Sequence, residues 1–369
     1  MTTMAISSQP SWQPDWAVAP GEILLEALQD REMTQSGLAQ RLGRPLKTIN
    51  EIIKGKAAIT PETAIQLERA LGISARFWTN LETLYRDTLA RQQAEVELET
   101  QAGWADRFPV ADLVRHQLIE RGGTKAATLA NLLSWLGVSS PAAYDRVTAA
   151  AAYRASPAFT ASPEAVTAWL RWGELQALEV ETASFDARRF RQVLAEIRPM
   201  TRKEPFAAIF KRVQAMCAEA GVVVVLTPEL SGTHLSGAAR WIGSKAVIQL
   251  SVRHKSDDQF WFTFFHEAGH ILSGRRRRDF VDGADVNDAD TDPNERAADQ
   301  FARDILLPPD KYARFVETGD FSRTAVRAFA KMQGVAPGIV AGRLERDQRV
   351  RPGQLRSLKK KVGLPSDRP

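Results

Sequence analysis

The fold is decided by residues 262–270, which read Phe262-Thr263-Phe264-Phe265-His266-Glu267-Ala268-Gly269-His270 and contain the pattern H-E-x-x-H. On a helix, positions i and i+4 share one face, so His266 and His270 can direct their imidazole nitrogens at one metal ion. Glu267 follows the first histidine and is the candidate general base. Catalytic zinc takes three protein ligands and keeps one open position, so a third ligand is expected elsewhere.

The third ligand predicted from the sequence is Glu295, in the segment Asn294-Glu295-Arg296-Ala297-Ala298-Asp299. Asp299 lies one helical turn after Glu295 on the same face and is expected to fix the second nitrogen of a histidine. The expected cofactor is Zn²⁺. Mn²⁺ or iron could occupy the same ligand set, because selectivity also depends on which metal is supplied.

A chance match to H-E-x-x-H is the alternative interpretation. The motif uses two of the five histidines in the chain and lies in a strongly apolar segment. Burying two histidines and a glutamate without partners costs several kcal/mol, which a core helix has no reason to accept. The metal site is therefore favoured. Its helix is expected to begin with Ser256 as the capping residue and to end at Ser273-Gly274, and the Glu295 helix is expected over about 294–307.

The composition is that of a soluble globular protein. The chain has 369 residues, 44% of them hydrophobic and 25% charged, so two or three domains are expected. No membrane-length apolar run or signal pattern is present, so a cytoplasmic protein without a membrane partner is predicted. The single cysteine, Cys217, excludes an internal disulfide and is interpreted as a core residue.

Charge is distributed unevenly. The net charge of +5 is too small to indicate nucleic acid by itself. Four arginines at 275–278 precede an aspartate-rich loop, and the C-terminal end is basic. These runs are interpreted as solvated surface and a solvated tail.

The first ninety residues predict five helices separated by capping and turn residues. The boundary signals are Pro20-Gly21, Thr34, Gly43, Thr60-Pro61 and Ser74. Residues 35–54 match a helix-turn-helix, whose second helix enters the DNA major groove. Five basic residues and one acid between Arg41 and Lys56 suit phosphate contact. The alternative is a plain helical bundle with solvated charges. The predicted DNA-contacting residues are Gln35, Arg44, Lys47, Thr48, Asn50, Glu51 and Lys54.

The central region carries no interpretable motif, and a sheet is predicted after it. Residues 93–204 are expected to be helical, with a hinge formed by the alanine run at 149–152 and by Ser156–Pro163. Strands are expected at 222–226, 236–242 and 246–250. His234, in the turn before the second strand, is the candidate oxyanion donor, and a surface histidine in a glycine-rich turn is the alternative.

Four segments of the first ninety residues have a family likeness. They are Pro20-Gly21-Glu22-Ile23-Leu24, Gln35-Ser36-Gly37-Leu38-Ala39, Gly55-Lys56-Ala57-Ala58-Ile59-Thr60-Pro61-Glu62-Thr63-Ala64 and Leu71-Gly72-Ile73-Ser74-Ala75-Arg76-Phe77-Trp78. By these segments, residues 20–91 resemble the HigA-type antitoxin branch of the helix-turn-helix repressors. The resemblance implies a lambda-repressor-like five-helix domain, a homodimer, a double-stranded DNA operator as partner and, in many members, a toxin that is neutralised.

Residues 205–310 resemble the ImmA/IrrE family of metallopeptidases. The resemblance is carried by the 262–270 segment, by Asn294-Glu295-Arg296-Ala297-Ala298-Asp299-Gln300-Phe301-Ala302 and by Leu306-Leu307-Pro308. It implies an α+β zincin-like domain in which His266, His270 and Glu295 are metal ligands and Glu267 is the general base. Asp299 stands where the family more often has asparagine, and either residue can orient a histidine.

The expected architecture is multidomain and mainly α. The predicted domains are a flexible leader (1–19), a helix-turn-helix domain (20–92), a helical middle region (93–204), a metallopeptidase domain (205–315) and a C-terminal helical extension with a basic tail (316–369).

Together the two resemblances imply a DNA-binding transcriptional regulator with a zinc-dependent endopeptidase domain. The resemblance to ImmA/IrrE peptidases implies an enzyme that cleaves helix-turn-helix repressors. The expected substrate is therefore the chain itself or a partner regulator, with activity gated by a signal. The alternative is a HigA-like antitoxin that represses its operon and binds a toxin, with the peptidase fold as sensor or scaffold. A general protease is disfavoured, because neither an export signal nor a wide substrate-binding region is evident.

Overall fold

The computed structural model describes residues 18–152, 162–251, 253, 255–274, 280–283 and 293–363. Several sequence-based expectations lie wholly or largely outside the described residues. These are the leader up to residue 17, the hinge at 156–161, the arginine run at 275–278, the loop at 284–292 and the tail from residue 364.

The chain divides into two compact units. One comprises the described residues up to Ala102 together with Gly123–Ala127. The other comprises Gly103–Gly122 and the described residues from Thr128 onward. Helices dominate both, and a small sheet lies in the second. The predicted fold class, mainly α with an α+β C-terminal part, is confirmed.

Five helices build the first unit, as the capping pattern predicted. The hydroxyls of Thr34, Thr60 and Ser74 accept backbone N–H groups at three helix starts, which satisfies donors that have no partner within the helix. The helices are α1 (Pro20–Gln29), α2 (Gln35–Leu42), α3 (Leu46–Ile53), α4 (Pro61–Leu71) and α5 (Ala75–Gln101).

The turn between α2 and α3 depends on Gly43. Its φ of 65° is left-handed, a conformation that glycine adopts without steric penalty. The turn lets Leu38 of α2 and Ile49 of α3 face one core, where both are completely buried with Leu67 and Trp78. Burial of such side chains contributes roughly 1.5–3 kcal/mol each and fixes the angle between the two helices.

After α5, the described residues form helices and one sheet. The helices that precede the sheet are α6 (Val110–Arg115), α7 (Lys125–Leu136), α8 (Pro141–Ala152), α9 (Pro163–Leu178), α10 (Ala187–Ile197) and α11 (Phe206–Glu219). Those that follow its third strand are α12 (Asp257–Leu272), α13 (Pro293–Leu306), α14 (Pro309–Glu317), α15 (Arg323–Gln333) and α16 (Pro337–Arg346). Short 3₁₀ segments occur at Ala102–Arg107, Arg198–Arg202 and Arg356–Leu358.

The sheet has four strands in the order β1-β3-β2-β4. They are β1 (Val222–Leu226), β2 (Leu235–Ile242), β3 (Lys245–Leu250) and β4 (Phe280–Gly283). Strand β1 runs parallel to β3, whereas β2 is antiparallel to both β3 and β4. The first three strands were predicted and β4 was not, because it is short and carries no alternating apolar pattern.

Helix α9 packs on the sheet and joins the middle region to it. The Trp169 indole N–H donates to Thr227 O (3.3 Å), and the buried Gln249 side chain donates to Trp169 O (2.7 Å). Helix α10 adds Phe190 and Leu194 to the core formed by α11, the sheet and α12. The buried thiol of Cys217 belongs to this core, as predicted.

The N-terminus of α12 differs from the expectation. Ser256 precedes the helix, but its hydroxyl makes no capping bond and instead contacts Gln259 Oε1 (3.2 Å). The first-turn acids Asp257 and Asp258 are buried. Their partners come from the basic C-terminal segment, where Lys360 N donates to Asp257 Oδ1 (2.9 Å) and Lys359 Nζ lies 2.8 Å from Asp258 Oδ2.

In the described part, up to residue 363, the expectation of a solvated basic tail holds for the exposed Arg351 and Arg356 but is wrong for Lys359, which pairs with a buried acid. Lys361 bridges to Ser256, and the buried Val362 donates its backbone N–H to Lys255 O. The reason is that α12 begins with two buried carboxylates, which need cations and N–H donors. Among the described helices, none combines the length and apolarity that crossing a membrane requires.

Candidate metal centre and nucleic-acid interface

The H-E-x-x-H segment lies inside α12, a helix buried over most of its surface. Phe260, Phe264 and Phe265 pack into the core, and Phe264 and Phe265 are completely buried. This packing holds the helix rigidly while His266, Glu267 and His270 are themselves buried. Buried polar groups need partners, and those of the histidines come from α13.

The structure brings together the three predicted ligands. His266 Nε2 lies 3.0 Å from His270 Nε2 and 3.1 Å from Glu295 Oε2. The distance from His270 Nε2 to Glu295 Oε1 is 3.3 Å. One ligand atom from each residue falls within 4.8 Å of the others.

These residues fit a zinc ion. Tetrahedral zinc with bonds of about 2.0–2.1 Å separates its ligand atoms by roughly 3.3 Å, which is close to the observed spacing. The donor set of two imidazoles and one carboxylate is also that of catalytic zinc. The ligand roles of His266, His270 and Glu295 remain predictions.

Asp299 contacts the other nitrogen of His266. Its Oδ1 lies 2.9 Å from His266 Nδ1, so an N–H on Nδ1 can donate to this carboxylate. In that tautomer, Nε2, which faces Glu295 and His270, is free to bind a metal. The contact is the one expected for Asp299 from the sequence, and its orienting role remains a prediction.

Glu295 and Asp299, the two acids of α13 that contact His266, are held in their charged form. Burial raises the pKa of the Glu295 carboxyl, but hydrogen bonds from His266 and His270 outweigh it and bring the pKa to about 2. Burial likewise raises the pKa of Asp299, while the His266 hydrogen bond and the charges of Arg346 and Arg303 lower it below its usual value. The carboxylates therefore remain ionised at neutral pH.

Asp299 has two cationic partners. Its Oδ2 lies 3.2 Å from Arg303 Nη2 and 2.9 Å from Arg346 Nη2. Arg303 is one turn away on α13, a spacing visible in the sequence. Arg346 lies at the end of α16, and sequence reasoning missed it because nothing in its local sequence relates it to α13.

Gly237 on β2 is a second residue that sequence reasoning missed. A Cβ atom at this position would lie 2.5 Å from Glu267 Oε1 and 2.7 Å from Thr263 Cγ2. The carboxylate of Glu267 is completely buried and reaches the strand at the point where glycine leaves room. The signal available was a glycine within a predicted strand, which often marks a close approach.

A close approach between α12 and α13 also depends on glycine. A Cβ at Gly269 would lie 3.2 Å from Ala298 Cα and 3.2 Å from Phe301 Cδ1. Small residues at this crossing keep the helices close enough for Glu295 to reach both histidines.

The described contacts of His234 are with Glu229 and Arg253 rather than with the three predicted ligands. It precedes β2 with a φ of 49°, its side chain is 47% exposed, and its Nδ1 is 3.8 Å from Glu229 Oε1. Its carbonyl oxygen accepts from the guanidinium of Arg253. An oxyanion role for His234 stays a prediction that none of these contacts supports.

The predicted DNA face lies on and around α3. Lys47 is 85% exposed and pairs loosely with Glu51 (3.8 Å), which leaves its ammonium accessible. Thr48, Asn50 and Glu51 are partly exposed, and Lys54 at the end of the helix is exposed. Ile49 and Ile52 occupy the opposite, buried face. The helix therefore presents polar groups on one side, as a major-groove reader requires.

The two predicted residues outside α3 lie beside it in the motif. Gln35 is the first residue of α2 and is partly exposed. Arg44 lies in the turn, and its Nε donates to Gln66 Oε1 at 2.6 Å. This bond fixes the Arg44 guanidinium on the turn between α2 and α3.

Comparison with known proteins agrees with both parts of the chain. Residues 24–78 match a helix-turn-helix family model, and residues 217–345 match the IrrE N-terminal-like domain of the M78 peptidases. Virulence-associated protein I of Dichelobacter nodosus is 36% identical over 80 residues, which are 21% of this chain and 74% of that protein. The chain belongs to the helix-turn-helix family.

Other relatives match the same N-terminal region. The uncharacterized HTH-type transcriptional regulator YddM of Escherichia coli (strain K12) is 32% identical over 79 residues, covering 21% of this chain and 82% of YddM. Among solved structures, an addiction module antidote protein of the HigA family from Coxiella burnetii is 32% identical, covering 23% of this chain and 92% of that chain (TM-score 0.21). The Pseudomonas aeruginosa antitoxin HigA with the higBA promoter is 31% identical, covering 23% and 94% (TM-score 0.22).

The chain is thus a DNA-binding helix-turn-helix regulator that carries an M78 peptidase domain. This domain is of a metallopeptidase type, and it contains a possible metal site made by two histidines and a glutamate.

Proposed function

We propose that the chain is a transcriptional regulator whose C-terminal domain is a zinc-dependent endopeptidase. The supporting observation is the convergence of His266, His270 and Glu295, with Asp299 on the outer nitrogen of His266. The substrate is the chain itself or a partner regulator, because cleavage of a repressor would relieve repression at the operator that it binds. Cleavage follows a signal.

Each residue of the proposed site has a role that follows from its position. His266, His270 and Glu295 would hold the zinc ion. When bound, zinc lowers the pKa of water toward about 7 and polarises a peptide carbonyl. Glu267, adjacent to the first ligand and buried against Gly237, accepts a proton from water and passes it to the leaving amine. Asp299 keeps the proton of His266 on Nδ1.

DNA binding is assigned to α3. Lys47 and Lys54 contact phosphates, while Thr48 and Asn50 reach base edges in the major groove of a double-stranded operator. A homodimer places two such helices on successive half-sites. Supporting this assignment, the exposed face of α3 is polar and the buried face is apolar.

The second candidate function is that of a HigA-like antitoxin, in which the peptidase fold is a sensor or scaffold. It is favoured by the N-terminal residues that resemble HigA-type antitoxins. Its protein partner would be a toxin rather than a substrate. Co-purification of a stoichiometric toxin, together with an inert metal site, would favour it over the first proposal.

Intact-mass analysis tests the peptidase proposal. The full chain is incubated with zinc and operator DNA, alone and with candidate partner repressors. We expect wild-type protein to yield two complementary fragments of one substrate and Glu267→Gln to yield none. Cleavage that persists in Glu267→Gln would show that another group acts as the base and would overturn the mechanism.

A further inference from the structure

Asp299 uses its two oxygens for different purposes. Oδ1 accepts from His266 Nδ1 at 2.9 Å, and Oδ2 accepts from Arg303 and Arg346. The carboxylate is 13% exposed, so it is largely shielded from water. Because two arginines hold Oδ2 in place, Oδ1 is oriented toward His266.

Arg346 contacts both helices that carry the candidate metal ligands. Its Nη2 lies 2.9 Å from Asp299 Oδ2 on α13. Its guanidinium carbon lies 4.8 Å from the centroid of the Phe262 ring on α12. Phe262 is one turn before His266, and the ring centroids of the two residues are 6.2 Å apart. Arg303, by contrast, bonds Asp299 from within the same helix.

We infer that Arg346 is a positioning residue for the metal centre, acting through Asp299 on the orientation and tautomer of His266. The planar guanidinium can stack on Phe262 while an N–H group points at the carboxylate, a combination that a lysine ammonium cannot reproduce. This inference rests on the proposed zinc site. It gives α16 a part in a site whose candidate ligands lie on α12 and α13.

A matched control lies three residues earlier on the same helix. Arg343 also pairs with an aspartate, Asp347 (2.8 Å), and also covers an aromatic ring, that of Tyr312 (4.6 Å). Its described contacts do not include Asp299. Arg343→Gln therefore removes the same kinds of interaction from α16 but leaves the contacts of Arg346 with Asp299 and of Asp299 with His266 in place.

Zinc affinity of the full chain, measured by competition with a chromophoric chelator, is the test. We expect Arg346→Gln to weaken zinc binding about tenfold, as orienting partners of ligands do, and Arg346→Lys to restore part of the loss. We expect Arg343→Gln to stay within about twofold of wild type, because it shares no partner with the ligands. The visible spectrum of cobalt-substituted protein should change in Arg346→Gln and not in Arg343→Gln.

A double-mutant cycle with Asp299→Asn separates positioning from general bracing. If Arg346 acts through Asp299, Arg346→Gln has little further effect on zinc affinity once Asp299 is replaced. An equal loss in both backgrounds, or wild-type affinity in Arg346→Gln, would overturn the inference while leaving the zinc site intact. Failure of the wild-type protein to bind zinc would overturn the proposed function and the inference together. If Arg346→Gln does not fold, Arg346→Lys provides the same cycle.

Discussion

At the residue scale, the site depends on the space left by a glycine without a side chain as well as on the groups that other residues supply. Gly237 has no Cβ, and Glu267 Oε1 lies 2.5 Å from the place where that atom would be. The proposed base, Glu267, is thereby held between α12 and β2. Precise placement matters because an error of about 1 Å in a catalytic group can cost on the order of 10²-fold in rate.

Gly237→Ala should therefore displace Glu267. We expect roughly 1–3 kcal/mol of destabilisation from overpacking and a fall in peptide cleavage on the order of 10²-fold, with zinc affinity retained. Urea unfolding, chelator competition and cleavage assays measure the three quantities. Gly103→Ala is the control, since a Cβ there meets no atom within 4 Å. Full cleavage by Gly237→Ala would show that Glu267 has room to move.

Asp257 gives the fold a dependence on pH. Burial is the main cause that raises its pKa, to about 6, and repulsion from Asp258 adds to the effect. Its ordinary value is 3.8, so the folded protein holds the proton more tightly than the unfolded chain. The stabilisation is thus present below about pH 4 and is lost as the pH rises through about 6.

Asp257→Asn should remove this dependence. Relative to wild type, the variant should gain free energy of unfolding between pH 4 and 7 by on the order of 2–3 kcal/mol, measured by urea titration. Asp320→Asn is a control of opposite sign, because the backbone N–H of Ser322 lowers the pKa of Asp320. A pH-independent difference for Asp257→Asn would contradict the assigned shift.

At the element scale, local pattern was sufficient for the helices and insufficient for their partners. The caps Thr34, Thr60 and Ser74 and the left-handed Gly43 were predictable, because capping acts within one turn of chain. The i, i+4 spacing likewise placed His266 and His270 on one face of α12. These are short-range effects written directly in the sequence.

Contacts between distant segments could not be predicted in this way. Arg346 reaches Asp299, and Lys359 reaches Asp258, through the fold of α16 and the segment after it. A run of C-terminal cations is the same in composition whether it is solvated or paired with buried acids. The sequence therefore predicted the cluster of His266, His270 and Glu295 and the contact of Asp299, but not the distant cations that pair with Asp299 and Asp258.

Helix α3 carries a prediction of its own. Lys47→Ala should weaken operator binding about equally for all sequences and reduce the salt-dependence slope by about 1, because one phosphate contact is lost. Asn50→Ala should instead cost about 1–3 kcal/mol and relax specificity at one base pair. Fluorescence anisotropy over a range of salt concentrations distinguishes the two outcomes.

The control for α3 is Lys211→Ala, on α11 in the other compact unit. It removes the same charge and should leave operator affinity unchanged. Equal losses for Lys47→Ala and Lys211→Ala would indicate nonspecific attraction to DNA. Wild-type affinity in both Lys47→Ala and Asn50→Ala would place the DNA-binding face elsewhere.

At the scale of the whole molecule, the two compact units carry the two candidate sites. The first presents the polar face of α3 from a core of Leu24, Leu38 and Trp78. The second encloses the cluster of two histidines and a glutamate within a larger core. Under the proposed function, the first unit would bind an operator and the second would cleave a repressor.

The central claim is that His266, His270 and Glu295 together hold one zinc ion. Metal analysis of the purified full chain after dialysis tests it most directly. We predict about one zinc per wild-type chain, loss of the metal in His266→Ala and Glu295→Gln, and full retention in His116→Ala, whose imidazole packs on Trp172 instead. A wild-type chain without zinc, or a His266→Ala variant that retains as much zinc as wild type, would contradict the claim.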